Sequence, residues 1–319
     1  MLPVLALFIA GLSWGTTAIF VRLLGLKGFT SFELLELRLV VVGAVLLPGY
    51  GTWLFLRKKK SGETLRAHGF TNRTTYLIGA SMVLYYLGAI VAVQNLPLVL
   101  AVLLIGSSPL LAWLWPLIKE RRGAKPQERL QGLGVLLGIL GLIGFAIAKS
   151  DGMKSVLQAN PNASPVLGYL CGLLSAIVTV LNSRVLKSHG EHAPSPVAIS
   201  IVTSAMGLIL FPFFLMDAGH HDLLLMAKES LGLLIGFGVI ATLIPGLAQA
   251  FASTKLSPVL SSTVTIQLQL WTAVFGWLIL DERLTGIQFL AAALVLAGTL
   301  TCLLGATRRT GDGRSIRLK

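Results

Sequence analysis

The sequence predicts an all-α membrane protein with ten transmembrane helices, arranged as two inverted five-helix repeats. Three observations carry that prediction. Of 319 residues, 55% are hydrophobic and only 12% are charged, with a mean hydropathy of +0.81; a soluble domain carries about 25% charged residues. The apolar residues gather into ten runs, each near the roughly 20 residues that cross a bilayer as helix. The last five runs repeat the first five at a near-constant offset. Disorder, collagen and disulfide scaffolds are excluded. Cys171 and Cys302 lie inside apolar runs, which supports neither a disulfide framework nor a zinc ribbon.

The runs fall at 3–21, 32–56, 76–94, 98–118, 130–148, 165–183, 196–215, 231–251, 257–280 and 286–305. Unpaired backbone groups are costly in lipid, and no run alternates as a barrel strand does, so all are read as helices. The first lacks a basic leader and a small-residue cleavage site, and is read as a retained span. The second opens on Glu33, Glu36 and Arg38, the charges that fall within a span. Gly106-Ser-Ser-Pro109 predicts a kink in the fourth run, and Pro245 another in the eighth. Gly134-x-x-x-Gly138 and Gly232-x-x-x-Gly236 mark close helix contacts. The ninth run is the polar one, with Ser261, Ser262, Thr263, Thr265, Gln267, Gln269 and Thr272.

Ten crossings put both termini on one side. That side holds 19 Lys and Arg, chiefly within 57–73, 119–129 and 308–319, against 6 on the other. The bias places both termini in the cytoplasm; a bacterial-type inner (plasma) membrane is the expected location. It also accounts for the net charge of +13 without nucleic acid.

An offset of 162 lays Pro3-Val4-Leu5 on Pro165-Val166-Leu167, and Thr17, Arg22 and Leu24 on Thr179, Arg184 and Leu186. The same offset lays Trp115 on Trp277 and Glu120-Arg121 on Glu282-Arg283. Past an insertion at about 121–125, an offset of 157 aligns Gln131, Leu137 and Gly141 with Gln288, Leu294 and Gly298. Five crossings per copy turn the second copy upside down, the arrangement of secondary transporters with a midplane site at the repeat interface. The division is a first repeat at 1–149, a second at 150–307 and a basic cytoplasmic tail at 308–319.

Several motifs carry a family resemblance: Gly11-Leu-Ser-Trp-Gly15, Arg38, Lys119-Glu120, Leu256-Ser-Pro258, Leu280-Asp-Glu-Arg-Leu-Thr285 and Gly298. On these, residues 3–305 resemble the EamA branch of the drug/metabolite transporter superfamily. The resemblance implies a ten-helix carrier that works by alternating access and usually exports amino acids, metabolites or drugs. It implies no cofactor. Its partners are a small-molecule substrate and the lipid bilayer, with protons as a candidate coupling ion and a monomer or weak homo-oligomer as the assembly. The basic insertion at 121–125 departs from the family pattern.

A charge inside a membrane is expensive and marks function. Glu36 and Arg38 stand about 200° apart on a helix and do not pair with each other. Arg38 is shallow enough to snorkel outward or to line the path. Glu33 reads as a solvated N-terminal charge favoured by the helix dipole. The expected substrate site joins Trp14, Tyr85, Ser107, Gln249, Gln267, Gln269 and Trp271 at mid-depth, with Arg38 near the external mouth and Tyr86 a further aromatic candidate. Aromatic faces suit the apolar part of a small amphiphilic solute; amides and hydroxyls suit its polar groups. Interhelical hydrogen bonding, about 0.6 kcal/mol on average, is the other use for those Gln residues. Proton coupling would rest on Glu36 or Glu33, with facilitated exchange an equal alternative; Glu120 and Glu282 are candidates for gating or capping.

Two other readings stay open. A lipid-modifying enzyme would need buried His or Asp clusters, yet all five histidines fall in loops, and no metal site is expected. A scaffold would have no central cavity. No Walker A sequence occurs, so ATP is not the energy source in this chain.

Overall fold

The computed structural model describes residues 2–61, 70, 72–108, 110, 111, 114, 129–148, 156, 157, 160–189, 194–207, 209, 223–253 and 264–311. Among them the regular structure is helical, with no strand. The first run forms α1 (Leu2–Gly15) and α2 (Thr17–Leu26), interrupted at Thr16, whose hydroxyl and N–H both donate to Ser13 O. The second forms α3 (Ser31–Ser61). It opens on a capping box: Thr30 N–H donates to Glu33 Oε2 at 2.7 Å, and Glu33 N–H to Thr30 Oγ1 at 3.3 Å. Glu33 is therefore buried as a cap rather than solvated.

Next come α4 (Arg73–Asn95), α5 (Leu98–Ile105), α6 (Arg129–Ile147), α7 (Pro165–His189), α8 (Pro196–Gly207), α9 (Leu223–Glu229) and α10 (Leu231–Ile235). A π-helical stretch, Gly236–Leu243, leads into α11 (Ile244–Ser253); α12 (Val264–Leu280) and α13 (Gly286–Gly311) follow. Pro245 has no N–H to offer Ala241 O, four residues back. Thr17 Oγ1 of α2 donates to that carbonyl instead, at 3.1 Å. Pro109 and the polar residues 261–263 lie outside the described residues; the fourth run breaks just before Pro109, at Gly106-Ser107, where Ser107 Oγ donates to Leu104 O.

Four described stretches are long and apolar enough to cross a membrane: Leu2–Leu26, Arg73–Asn95, Pro165–Asn182 and Leu231–Gln249. Large apolar side chains stand exposed on most helices, Leu5, Leu47, Leu77, Leu136, Leu170, Leu278 and Leu290 among them. In water such a surface would associate; in hydrocarbon it meets lipid tails.

Helices in lipid gain no hydrophobic drive to associate, so small residues at their contacts matter more. α13 lies along α6, α4 along α7 and α8, and α1 against α11 and α12. In the α6–α13 seam a Cβ at Gly141 would fall 2.6 Å from Ala291 O and 2.7 Å from Val295 Cγ2. A Cβ at Gly298 would fall 2.5 Å from Gly134 O and 2.6 Å from Gly138 N. The 157-residue offset carries Gly134, Gly138 and Gly141 onto Ala291, Val295 and Gly298. The seam makes one contact twice, with the two helices exchanged.

Candidate functional site

A cavity of about 340 Å3 is lined by residues of α1, α2, α3, α4, α5, α7, α11 and α12. It draws on the first, third, fourth, sixth, eighth and ninth runs and, through Arg38, on the second.

Arg38 supplies its charge. The side chain turns inward rather than snorkelling, and the residue is 2% exposed. Its Nε donates to Thr242 Oγ1 at 2.7 Å, and its guanidinium carbon lies 4.1 Å from the Tyr86 ring centroid and 4.9 Å from that of Phe237. The π-helical stretch prepares this seat. Thr242 Oγ1 donates to Phe237 O, five residues back, at 2.9 Å, which leaves its lone pairs for Arg38. The aromatic faces offset part of the lost hydration. Among the described residues no carboxylate lies within ion-pair distance of Arg38.

Trp14, Tyr85 and Gln249 also line the cavity. Tyr85 stands edge-on to Tyr86, ring centroids 5.4 Å apart. Ser107 does not line it; its neighbour Ser108 does. Gln267, Gln269 and Trp271 are turned toward flanking helices. A Cβ at Gly11 would fall 2.5 Å from Gln267 Oε1, one at Gly15 would fall 2.5 Å from Trp271 Cβ, and Gln269 lies against Gly106. The glycines of Gly11-Leu-Ser-Trp-Gly15 thus admit α12 to close contact with α1. The residues of α12 that face the cavity are Leu268 and Thr272, whose Oγ1 donates to Gly15 O at 3.0 Å. Glu36 is buried, both its oxygens lacking a hydrogen-bond partner among the described residues, and it is not among the lining residues. Glu120 lies outside the described residues.

The cavity also takes in Thr17, Thr179, Asn182 and Thr272, which sequence reasoning did not place in the site. A signal for two of them existed, since Thr17 and Thr179 are identical across the 162-residue offset. Asn182 is fixed by Ser81, whose hydroxyl donates to its Oδ1 at 2.6 Å.

Beside the cavity-lining Val21 sits a buried ion pair. Arg22 Nη2 lies 3.8 Å from Glu282 Oε1 and donates to Leu96 O at 2.7 Å. Glu282 Oε2 accepts from Leu98 N–H at 3.0 Å, capping the start of α5 with a negative charge. Asp281, in the left-handed region at φ 50°, ends α12 and turns the chain so that Glu282 N–H bonds Gly276 O. One cluster ties α2, the α4–α5 link and the α12–α13 link together.

The EamA-like transporter family matches this chain at residues 1–147 and 166–304. The threonine/homoserine exporter RhtA of Salmonella typhimurium, in strains SL1344 and LT2, is 27% identical over 303 residues, covering 94% of this chain and 90% of the relative. A solved crystal structure aligns with a TM-score of 0.59 at 18% identity, over 96% of this chain and 98% of that one, a likeness of fold alone.

Proposed function

This chain belongs to the EamA-like transporter family, and from that premise we propose a secondary exporter of small organic solutes, whether amino acids, metabolites or drugs, working by alternating access. The observation that carries the reading is the cavity, walled by helices of both sequence repeats and carrying aromatic, hydroxyl, amide and guanidinium groups. Similarity to RhtA supports export as the direction. In this reading ten helices cross an inner membrane as repeats 1–149 and 150–307, with tail 308–319 and both termini inside. The two matched stretches and the self-exchanging α6–α13 seam support that division. The Arg22–Glu282 pair then lies at the outer end and holds it shut, and Glu36 is the candidate proton carrier.

Flux into proteoliposomes tests the function, with threonine, homoserine and a panel of other amino acids and drugs. Trp14→Ala is expected to cut flux at least tenfold with normal membrane insertion, since a cavity wall contributes contacts to the moving solute. Gln267→Ala should act through packing, lowering thermal stability more than flux. Transport untouched by Trp14→Ala would take the cavity out of the path. Orientation has its own check: single cysteines at positions 62 and 312 should react only from the cytoplasm, and one at 220 only from outside. External labelling at 62 would overturn it.

A further inference from the structure

We infer that the cargo of this cavity is an organic monocarboxylate with an apolar or aromatic body, its carboxylate held by Arg38, and that a free ammonium group plays no part in its recognition. The inference rests on the carrier reading above and names the chemistry of its cargo.

Charge is the first ground. Arg38 lines the cavity while 2% exposed, with no carboxylate within ion-pair distance among the described residues. A guanidinium enclosed without an anion is costly, and the faces of Tyr86 and Phe237 offset only part of that cost. A carboxylate entering the cavity completes the pair, in the planar fork geometry that a guanidinium prefers.

The acids supply the second ground. Of 13 Asp and Glu, only Glu33 and Glu36 lie within an apolar run. Glu33 is engaged in the Thr30 capping box. Glu36 sits two residues before Arg38, about 200° around the helix, and is absent from the cavity lining. Among the described lining residues no acid is placed to meet an ammonium group, and Arg38 covers the Tyr86 face, which leaves only the weaker attraction of the Trp14 and Tyr85 rings. The cations limit the anion as well: with Arg38 the one cation among the described lining residues, a phosphate monoester would keep a charge unmatched.

The test uses the purified full-length chain and three aromatic probes: phenylacetate, its neutral amide phenylacetamide, and zwitterionic phenylalanine, one carbon longer. Binding is read by calorimetry, and exchange by counterflow in proteoliposomes. Phenylacetate should bind saturably, with the amide and phenylalanine each at least about tenfold weaker. Arg38→Gln should bring phenylacetate down to the level of the amide, and Arg38→Lys should keep part of the difference. The ligand-free melting temperature of Arg38→Gln should match or exceed that of the wild type, because an uncompensated buried charge has been removed. Equal binding of acid and amide, phenylacetate binding unchanged in Arg38→Gln, or tighter binding of phenylalanine would each overturn the inference. Threonine counterflow without phenylacetate binding would overturn it and leave the carrier reading intact. Phenylacetate bound through Arg38, but with no solute exchanged, would sink the carrier reading and keep the ligand class.

Discussion

Glu282→Ala should make the cavity reachable from outside. The substitution strands Arg22, whose Nε and Nη1 are already buried without a partner among the described residues, and it strips Leu98 N–H of its acceptor. Removing one member of a buried ion pair costs about 3–5 kcal/mol. That cost falls on the state in which the pair is closed, because the open state lets water reach Arg22. A bias of ~3 kcal/mol changes the ratio of open to closed states by more than about a hundredfold. The readout is the rate at which a membrane-impermeant maleimide labels Val21→Cys from outside, with Cys171 and Cys302 replaced by Ser. Val21 is 1% exposed and lines the cavity beside Arg22. Labelling should be slow with the pair intact and about a hundredfold faster in Glu282→Ala. The double variant Arg22→Met/Glu282→Met separates a latch from a general loosening. Apolar residues of similar volume often replace a buried pair without loss, so the double variant should label slowly again. A folded Glu282→Ala protein that labels at the original rate would remove the latch.

The sequence spoke clearly about what each helix is made of and poorly about where its side chains point. The apolar runs located the helices, because hydrocarbon leaves the backbone no other partner-free solution. The Thr30-x-x-Glu33 spacing is a capping signature, yet the charge suggested a solvated residue; only the two hydrogen bonds show it folded under. Gln267, Gln269 and Trp271 stood out by polarity and size, but Gly11, Gly15 and Gly106 on neighbouring helices decide their direction. No single helix contains that information. Arg38 was visible as an intramembrane charge, while its aromatic seat was not, because Tyr86 and Phe237 lie far away in sequence. The π-helical register that presents Thr242 has no propensity signal of its own. Thr17 and Thr179 were legible through the repeat and went unused, since a hydroxyl in a span is usually bonded to its own helix. The helix-exchanging seam, by contrast, follows from glycines whose offset was already in the sequence.

That seam carries the other large expected effect. At Gly298 the atoms that a Cβ would strike are Gly134 O, Gly138 N and Gly138 Cα, all backbone. Backbone cannot rotate aside as a side chain does, so the helices must separate. Gly298→Ala should therefore cost at least the ~1–3 kcal/mol of ordinary overpacking, measured as thermal or denaturant unfolding in detergent. Gly144→Ala is the control on the same helix as Gly141: its Cβ would meet Ala291 Cβ at 3.6 Å, an ordinary contact. There the gain of about 0.5–1 kcal/mol from replacing a helical glycine should show instead. Gly141→Ala supplies the sharper comparison. Its Cβ would meet Ala291 O at 2.6 Å and Val295 N at 2.8 Å, backbone atoms at the positions that the offset assigns to Gly134 and Gly138. If one contact is made twice with the helices exchanged, Gly141→Ala and Gly298→Ala should destabilise by similar amounts, Gly141→Ala somewhat the more because its Cβ also meets Val295 Cγ2 at 2.7 Å where Gly138 has no side chain. Their combination should cost less than the sum, because the first substitution has already opened the seam that the second needs. A large inequality between the two, or full additivity in the double variant, would show two unrelated contacts and undercut the inverted-repeat reading of these helices.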